Sequence, residues 1–303
     1  MPKGHWNLQF AGLLLCVGTL ISPAMAGTVN QSDMPFVVDV WGTKEGLPQN
    51  SVISVVQTRD GYLWLGTLNG LVRFDGNRFT VFDENNTPGL NSGRIVYLFE
   101  DSHTNLWVGT DTAGVALVKD GKVKSFDIGR AGHEGRILYA YEDLTGTVWF
   151  YTADGHPSRY QNGKIETDAS LVSVDLVFRA TRRLVPSQSG GFWLMQNGRV
   201  QKWAGNQMQR DLGPCPWGMS PLVTSACEDR EGNLIVGTLG AGVFWYEAGG
   251  KCRQISKEQG LSSALVLSLC MDSEGNLWVG TDGGGLDRIK RKIFDTPSEH
   301  NSW

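Results

Sequence analysis

One stretch, Asp272-Ser-Glu-Gly-Asn-Leu-Trp-Val-Gly-Thr281, recurs in altered form five more times upstream, and it constrains the fold more tightly than anything else in the chain. The earlier copies are Asp60-Gly-Tyr-Leu-Trp-Leu-Gly-Thr67, Asp101-Ser-His-Thr-Asn-Leu-Trp-Val-Gly-Thr110, Asp143-Leu-Thr-Gly-Thr-Val-Trp-Phe150, Ser189-Gly-Gly-Phe-Trp-Leu194 and Asp229-Arg-Glu-Gly-Asn-Leu-Ile-Val-Gly-Thr238. Aligned on Trp64, Trp107, Trp149, Trp193, Ile235 and Trp278, they follow one another at 43, 42, 44, 42 and 43 residues. A period that even predicts an array of one supersecondary unit, each copy burying faces it cannot bury alone.

The first copy shows what the unit is. Residues 52–57 form a β-branched apolar run; a turn at Asp60-Gly61 leads to residues 63–67, Asn69-Gly70 to residues 71–74, and Asp75-Gly76 to residues 79–82. That pattern reads as four short strands, a to d, joined by turns whose Gly, Asp and Asn residues accept tight geometries. The 39 glycines among 303 residues suit such turns, and no long segment of the mature chain has helical periodicity. Four-stranded repeats of roughly 40 to 50 residues predict an all-β fold, a β-propeller of six four-stranded blades around a central channel. An incomplete part of a seven-bladed or larger propeller is the alternative.

Within a blade, near-continuous apolar character in strands a and b predicts burial on both faces, and the more polar strand d fits an outer edge. The strand b tryptophan is expected to pack on the neighbouring blade, where full burial is worth roughly 2–3 kcal/mol. Two segments compete for the strand that closes the ring: residues 36–41, followed by Gly46-Leu47-Pro48 much as Gly260-Leu261-Ser262 follows a later strand d, and residues 292–295. The fourth copy lacks both the turn Asp and the Gly-Thr pair, a divergence read as drift.

The first 26 residues read as a signal peptide: Lys3, an apolar stretch over residues 10–21, and the small residues of Ala24-Met25-Ala26 before a cleavage site. Residues 27–35 then form a linker, 36–295 the propeller and 296–303 a tail, and the mature chain is periplasmic or secreted with no membrane span. A formal net charge of -4 and the absence of any Lys/Arg-rich run exclude an electrostatic footprint for nucleic acid. Cys227 and Cys270 occupy one repeat position inside apolar runs and read as buried thiols; a Cys215–Cys252 bridge is a weaker expectation.

No cofactor or metal is implied. The turn acids Asp60, Asp101, Asp143, Asp229 and Asp272 offer too few oxygen ligands for a calcium loop and read as Asx turns. His103, His133 and His156 sit in three different loops without metal spacing, and no G-x-S-x-G nucleophile motif occurs.

The pattern Glu-Asp-x-x-Gly-Asn-Leu-Trp-Val-Gly-Thr-x-x-Gly-Gly-Leu resembles the two-component regulator propeller repeat. The match is best over residues 272–286, good over 228–242, 100–114 and 60–71, and extends over roughly 36–295. The resemblance implies a non-catalytic periplasmic sensor of the kind found in hybrid histidine kinases and related signalling proteins. There the propeller leads into an Ig-like domain, a membrane span and an output module, and in several cases senses glycans. This sequence carries no Ig-like segment, second hydrophobic span or kinase motif, so only the sensor-propeller reading carries over. A propeller enzyme acting on a sugar or lactone, and a scaffold for another envelope protein, are the alternatives.

Topology supplies the candidate site. Loops from strand d to the next strand a and from b to c open on one face, at the channel mouth. Arg94 and Arg136 each lie 13 residues before their tryptophan, and Arg179 lies 14 before Trp193. Three guanidinium groups on one rim suit bidentate binding of a carboxylate or sulfate on a small molecule or glycan. Gln49, Asn50, Asn69, Asp111, Glu134, Asp154, Trp217 and Asp282 fall in nearby loops, Trp217 as a ring on which a sugar could stack. The competing reading has the arginines pair with Glu134, Asp111 or backbone carbonyls and simply close the rim. A homodimer or a signalling partner is left open.

Overall fold

The computed structural model describes residues 35–128, 135–153, 157–167, 184–218, 222–247 and 249–292. These hold strands gathered into six antiparallel sheets of four. Strand β1 (Phe36–Trp41) precedes blade 1, which comprises β2 (Ser54–Gln57), β3 (Leu63–Thr67), β4 (Gly70–Phe74) and β5 (Phe79–Phe82). Blade 2 has β6 (Ile95–Glu100), β7 (Leu106–Thr110), β8 (Val115–Lys119) and β9 (Lys122–Phe126), and blade 3 has β10 (Ile137–Glu142), β11 (Val148–Thr152), β12 (Pro157–Gln161) and β13 (Lys164–Thr167). Blade 4 has β14 (Leu184–Pro186), β15 (Phe192–Gln196), β16 (Arg199–Ala204) and β17 (Gln207–Pro214), and blade 5 has β18 (Val223–Glu228), β19 (Leu234–Thr238), β20 (Gly242–Tyr246) and β21 (Cys252–Ile255). Blade 6 takes β22 (Val266–Met271), β23 (Leu277–Thr281) and β24 (Leu286–Arg291) from the end of the chain and β1 from its start.

That last sheet decides how the ring closes. β1 runs antiparallel to β24 from Phe36 opposite Arg291 to Trp41 opposite Leu286, and Lys292 N donates to Pro35 O at 2.8 Å. Of the two competing segments, the N-terminal one is therefore the outer strand; residues 293–295 lie outside the described residues. The Trp41 ring lies 5.4 Å from that of Trp278, with the Arg288 guanidinium 5.0 Å from its centroid. Trp278 and Leu286 of blade 6 share one core cluster with Val52, Leu63, Leu65 and Phe74 of blade 1. First strands from all six blades line a central cavity of 280 Å³. The array closes at six, which removes the sheet edges an open array would expose.

Each conserved-looking letter of the repeat has a physical job. In blades 2 and 6 the turn Asp uses one oxygen to accept from two backbone N–H groups and the other to accept from the Asn side chain and the tryptophan indole. For Asp272 these bonds come from Glu274 N and Asn276 N at 2.9 and 2.8 Å, and from Asn276 Nδ2 and Trp278 Nε1, both at 2.8 Å. The Gly of the Gly-Thr pair leaves room for the next blade: a Cβ at Gly109 would meet Ile137 at 2.8 Å and one at Gly237 would meet Val266 at 2.6 Å. The Thr hydroxyl closes the b–c turn, as from Thr110 to Gly114 O at 2.9 Å. Strand b is wholly buried in blades 1, 2, 5 and 6.

The expected Asx turn holds at Asp101, Asp143, Asp229 and Asp272 and, with a longer bond, at Asp60, whose Oδ1 accepts from Tyr62 N at 3.4 Å. Blade 1 differs in register: Thr58 is the residue six before Trp64, its N–H donates to Tyr62 O at 3.0 Å as Asp101 N does to Asn105 O, and its hydroxyl donates to Asp60. Cys215, Cys227, Cys252 and Cys270 are in no disulfide, so the Cys215–Cys252 bridge is not formed. Cys227 and Cys270 each pack against a core cluster, and burial pushes the Cys270 thiol up to about 11.

Candidate functional site

The rim of the channel is built by a repeated backbone bond. The carbonyl of the residue just before strand a accepts from the N–H just after strand b, as in Asp111 N to Arg94 O, Ala153 N to Arg136 O, Leu239 N to Leu222 O and Asp282 N to Leu265 O. This bond puts Arg94, Arg136, Leu222 and Leu265 at one level in their blades, with Asp111, Leu239 and Asp282 beside them. The equivalence of the two arginines expected from their spacing is thus a property of the fold.

Asp111 sits between both of them. Its Oδ2 accepts from Arg94 Nη2 at 2.8 Å and Nε at 3.2 Å, and its Oδ1 lies 3.3 Å from Arg136 Nε across the blade boundary. Two half-exposed guanidinium groups on one carboxylate leave a net positive charge at the mouth, with guanidinium N–H groups still open to solvent. The rim opposite is different in kind. Leu222, Leu239 and Leu265 are all exposed there, and Leu239 and Leu265 form an isolated β-bridge. A positively charged sector and an apolar sector therefore share one opening.

The other sequence-derived candidates divide. Gln49 Oε1 accepts from Leu68 N at 3.1 Å and Asn50 Oδ1 from Thr43 N at 2.8 Å, so both side chains are engaged in holding their loops. Asp282 accepts from the Ser51 hydroxyl at 2.6 Å. Trp217 departs from expectation: only 8% exposed, it packs into the core shared by blades 4 and 5, its ring 5.1 Å from Phe244, and offers no surface for a sugar. Arg179, Glu134 and Asp154 lie outside the described residues.

Below the rim the channel wall alternates in chemistry. The position ten before Trp64, Ile235 and Trp278 is Ser54, Ser225 and Ser268 in blades 1, 5 and 6, but ten before Trp107 and Trp149 it is Tyr97 and Tyr139 in blades 2 and 3. Ser54 and Ser225 accept from the strand a N–H groups of Leu98 and Leu269 in the following blades, both at 3.1 Å. Tyr97 and Tyr139 meet edge to face at 5.8 Å, and Tyr139, Tyr141 and Tyr151 continue the stack at 6.1 Å steps. Tyr151 stands where other blades have the Gly of Gly-Thr, so the divergence of the third repeat builds this stack. Neither the stack nor the leucine sector was picked out from sequence; the register of the residues on either side of each tryptophan carries both. Among the described residues no group of three or more His, Cys, Asp or Glu is placed to hold a metal, and no helix is long and apolar enough to cross a membrane.

Three segments of this ring, residues 46–69, 89–112 and 260–283, match the family model described as "Two component regulator propeller". Those three segments are two component regulator propeller repeats. A curated relative, Histidine kinase P4 of Formosa agariphila, is 36% identical over 61 residues, which are 20% of this chain and 4% of that protein. The chain also superimposes on the extracellular domain assigned to a hybrid two component system of B. thetaiotaomicron with a TM-score of 0.64 and 16% identity, covering 85% of this chain and 42% of that one. It superimposes on a streptogramin B lyase with a TM-score of 0.60 and 13% identity, covering 85% and 98%. At such identities the two structures share the propeller fold with this chain and nothing finer. The chain spans less than half of the sensor domain it resembles.

Proposed function

We propose that this regulator propeller is a non-catalytic, periplasmic ligand-sensing module, and that its ligand docks on the rim with an anionic group against Arg94 and Arg136. The observation that carries this reading is the shared Asp111: one carboxylate reached by arginines of two adjacent blades shows that both guanidinium groups converge on a single anion, a place for which a ligand carboxylate or sulfate competes. The exposed leucines across the mouth suit the apolar face of the same ligand, a small molecule or glycan. The three segments matched by the regulator-propeller model support a sensing role, and the leader-like first 26 residues support export. Signal output belongs to whatever partner reads the occupied rim.

The test is a thermal-shift panel of sulfated and carboxylated sugars beside their neutral parents, run on the wild type and on Arg94→Ala/Arg136→Ala. Anionic members should raise the melting temperature of the wild type alone. An equal response from the double variant would overturn the assignment.

A further inference from the structure

A second cavity, of 440 Å³, opens between blades 1 and 2, away from the channel and its rim. It arises where the repeat fails. Among the five strand b tryptophans, Trp107, Trp149 and Trp278 donate their indole N–H to the turn Asp of their own blade, at 2.8, 2.7 and 2.8 Å. Trp193, whose blade lacks that Asp, donates to Glu228 of the next blade at 2.9 Å. Trp64 has Thr58 at the Asp position, and among the described residues its indole N–H has no protein acceptor; the residue is 9% exposed and this N–H is not one of the buried unpartnered groups, so it opens on the cavity that Trp64 lines.

The cation beside it is equally exceptional. Opposite four of the five strand b tryptophans, strand c carries Arg or Lys: Arg73, Arg159, Lys202 and Arg288. Three of the four have an acid: Arg288 with Asp39 at 2.8 Å, Lys202 with Glu228 at 3.7 Å and Arg159 with Glu166 at 3.7 Å. Arg73 has none within ion-pair distance among the described residues. Its guanidinium lies 4.6 Å from the Tyr62 ring centroid and 6.0 Å from those of Trp64 and Phe82.

The cavity's acids are better supplied than its donors. Glu100 accepts from Arg59 N with both oxygens, at 3.1 and 3.2 Å, and Asp60 accepts from the Thr58 hydroxyl. Asp120 stands next to Lys119 at the cavity's edge. What the site leaves open is therefore an indole N–H and a guanidinium facing the cavity among aromatic rings, two donors that one ligand carboxylate can satisfy together. We infer that this inter-blade cavity is a binding site for a small carboxylate carried on a six-membered ring, the carboxylate on Arg73 and the Trp64 indole N–H and the ring against Trp64 and Phe82. A sugar acid and an aromatic acid share that chemistry. This site is independent of the rim.

Calorimetric titration with glucuronate and with benzoate, each beside its neutral counterpart glucose or benzyl alcohol, tests it. At least one acid should bind, more tightly than its neutral counterpart, and whichever binds better identifies the source. Arg73→Gln should weaken that binding tenfold or more. Trp64→Phe, which keeps an aromatic ring but loses the N–H together with part of the indole surface, should weaken it severalfold and guards against a folding defect in the first variant. Arg94→Ala/Arg136→Ala should leave it unchanged, separating this site from the rim. Failure of both acids to bind, equal binding of acid and neutral counterpart, or full affinity in Arg73→Gln would each overturn the inference.

Discussion

The Trp193 indole N–H donates at 2.9 Å to Oε1 of Glu228, a residue of the following blade, and in doing so replaces the turn Asp that the fourth repeat lacks. The same carboxylate accepts from Gln188 N and the Ser187 hydroxyl, so one side chain closes the turn of blade 4 from outside it. Glu100 and Glu142 do the same for Arg59 N and Ser102 N of the blades before them, which explains why Glu precedes Asp in the repeat.

Glu228 is therefore expected to matter more than its surface-turn position suggests. Burial tends to raise its pKa, but the hydrogen bonds from Trp193, Gln188 N and Ser187, with Lys202 nearby, outweigh it and hold the carboxyl below its usual range. An acid with a lowered folded-state pKa contributes stability that is present above the unfolded value and lost as pH falls through the folded one. Glu228→Ala should cost about 2–4 kcal/mol in urea unfolding at pH 7, with a smaller cost at pH 3.

Asp287 should behave in the opposite sense. It is fully buried on strand β24, where other blades carry residues such as Val72 or Ala116; Oδ2 accepts from Ser262 N at 2.9 Å and Oδ1 has no partner. Burial pushes its carboxyl up to about 6, a shift that the Ser262 bonds only partly offset. A raised acid pKa means that ionisation opposes folding, so the wild type should lose stability as pH rises from about 4 to about 6, by roughly 3 kcal/mol from this group. Asp287→Asn should flatten that part of the stability profile and be the more stable protein at pH 7, as chemical denaturation across pH would show.

Packing between blades makes a third expectation. A Cβ at Gly280 would run into the Val52 carbonyl and the Ser268 hydroxyl, at the junction of the last blade with the first, whereas one at Gly249 meets nothing. Gly280→Ala should destabilise by about 1–3 kcal/mol and Gly249→Ala should be near neutral. Comparable losses in both would show that the Gly-Thr glycine does not serve this contact.

The fold was legible because its determinants recur. Turn chemistry, strand alternation and the buried tryptophan each appear several times at one spacing, so a single aberrant copy does not hide the period. Closure was not legible: residues 36–41 and 292–295 both have strand d chemistry, and only the ladder between β1 and β24 chooses between them. Ile235 looked like a lost tryptophan, yet Trp245, its cross-strand partner, fills the place, with Arg291 over its ring at 4.9 Å and reaching Asp229 at 3.5 Å. At the rim, equal spacing from the tryptophan correctly levelled Arg94 with Arg136. It could not show that Asp111 joins them across the blade boundary, nor that Trp217 turns inward, because both depend on how loops from different blades meet.

The most direct test of the rim as a ligand site is the affinity of an anionic sugar that binds the wild type, measured by calorimetry at two salt concentrations with Asp111→Asn. Removing the resident carboxylate frees both guanidinium groups, so tighter binding with a steeper loss at high salt is the result this account predicts. Unchanged affinity and unchanged salt dependence in Asp111→Asn would contradict it.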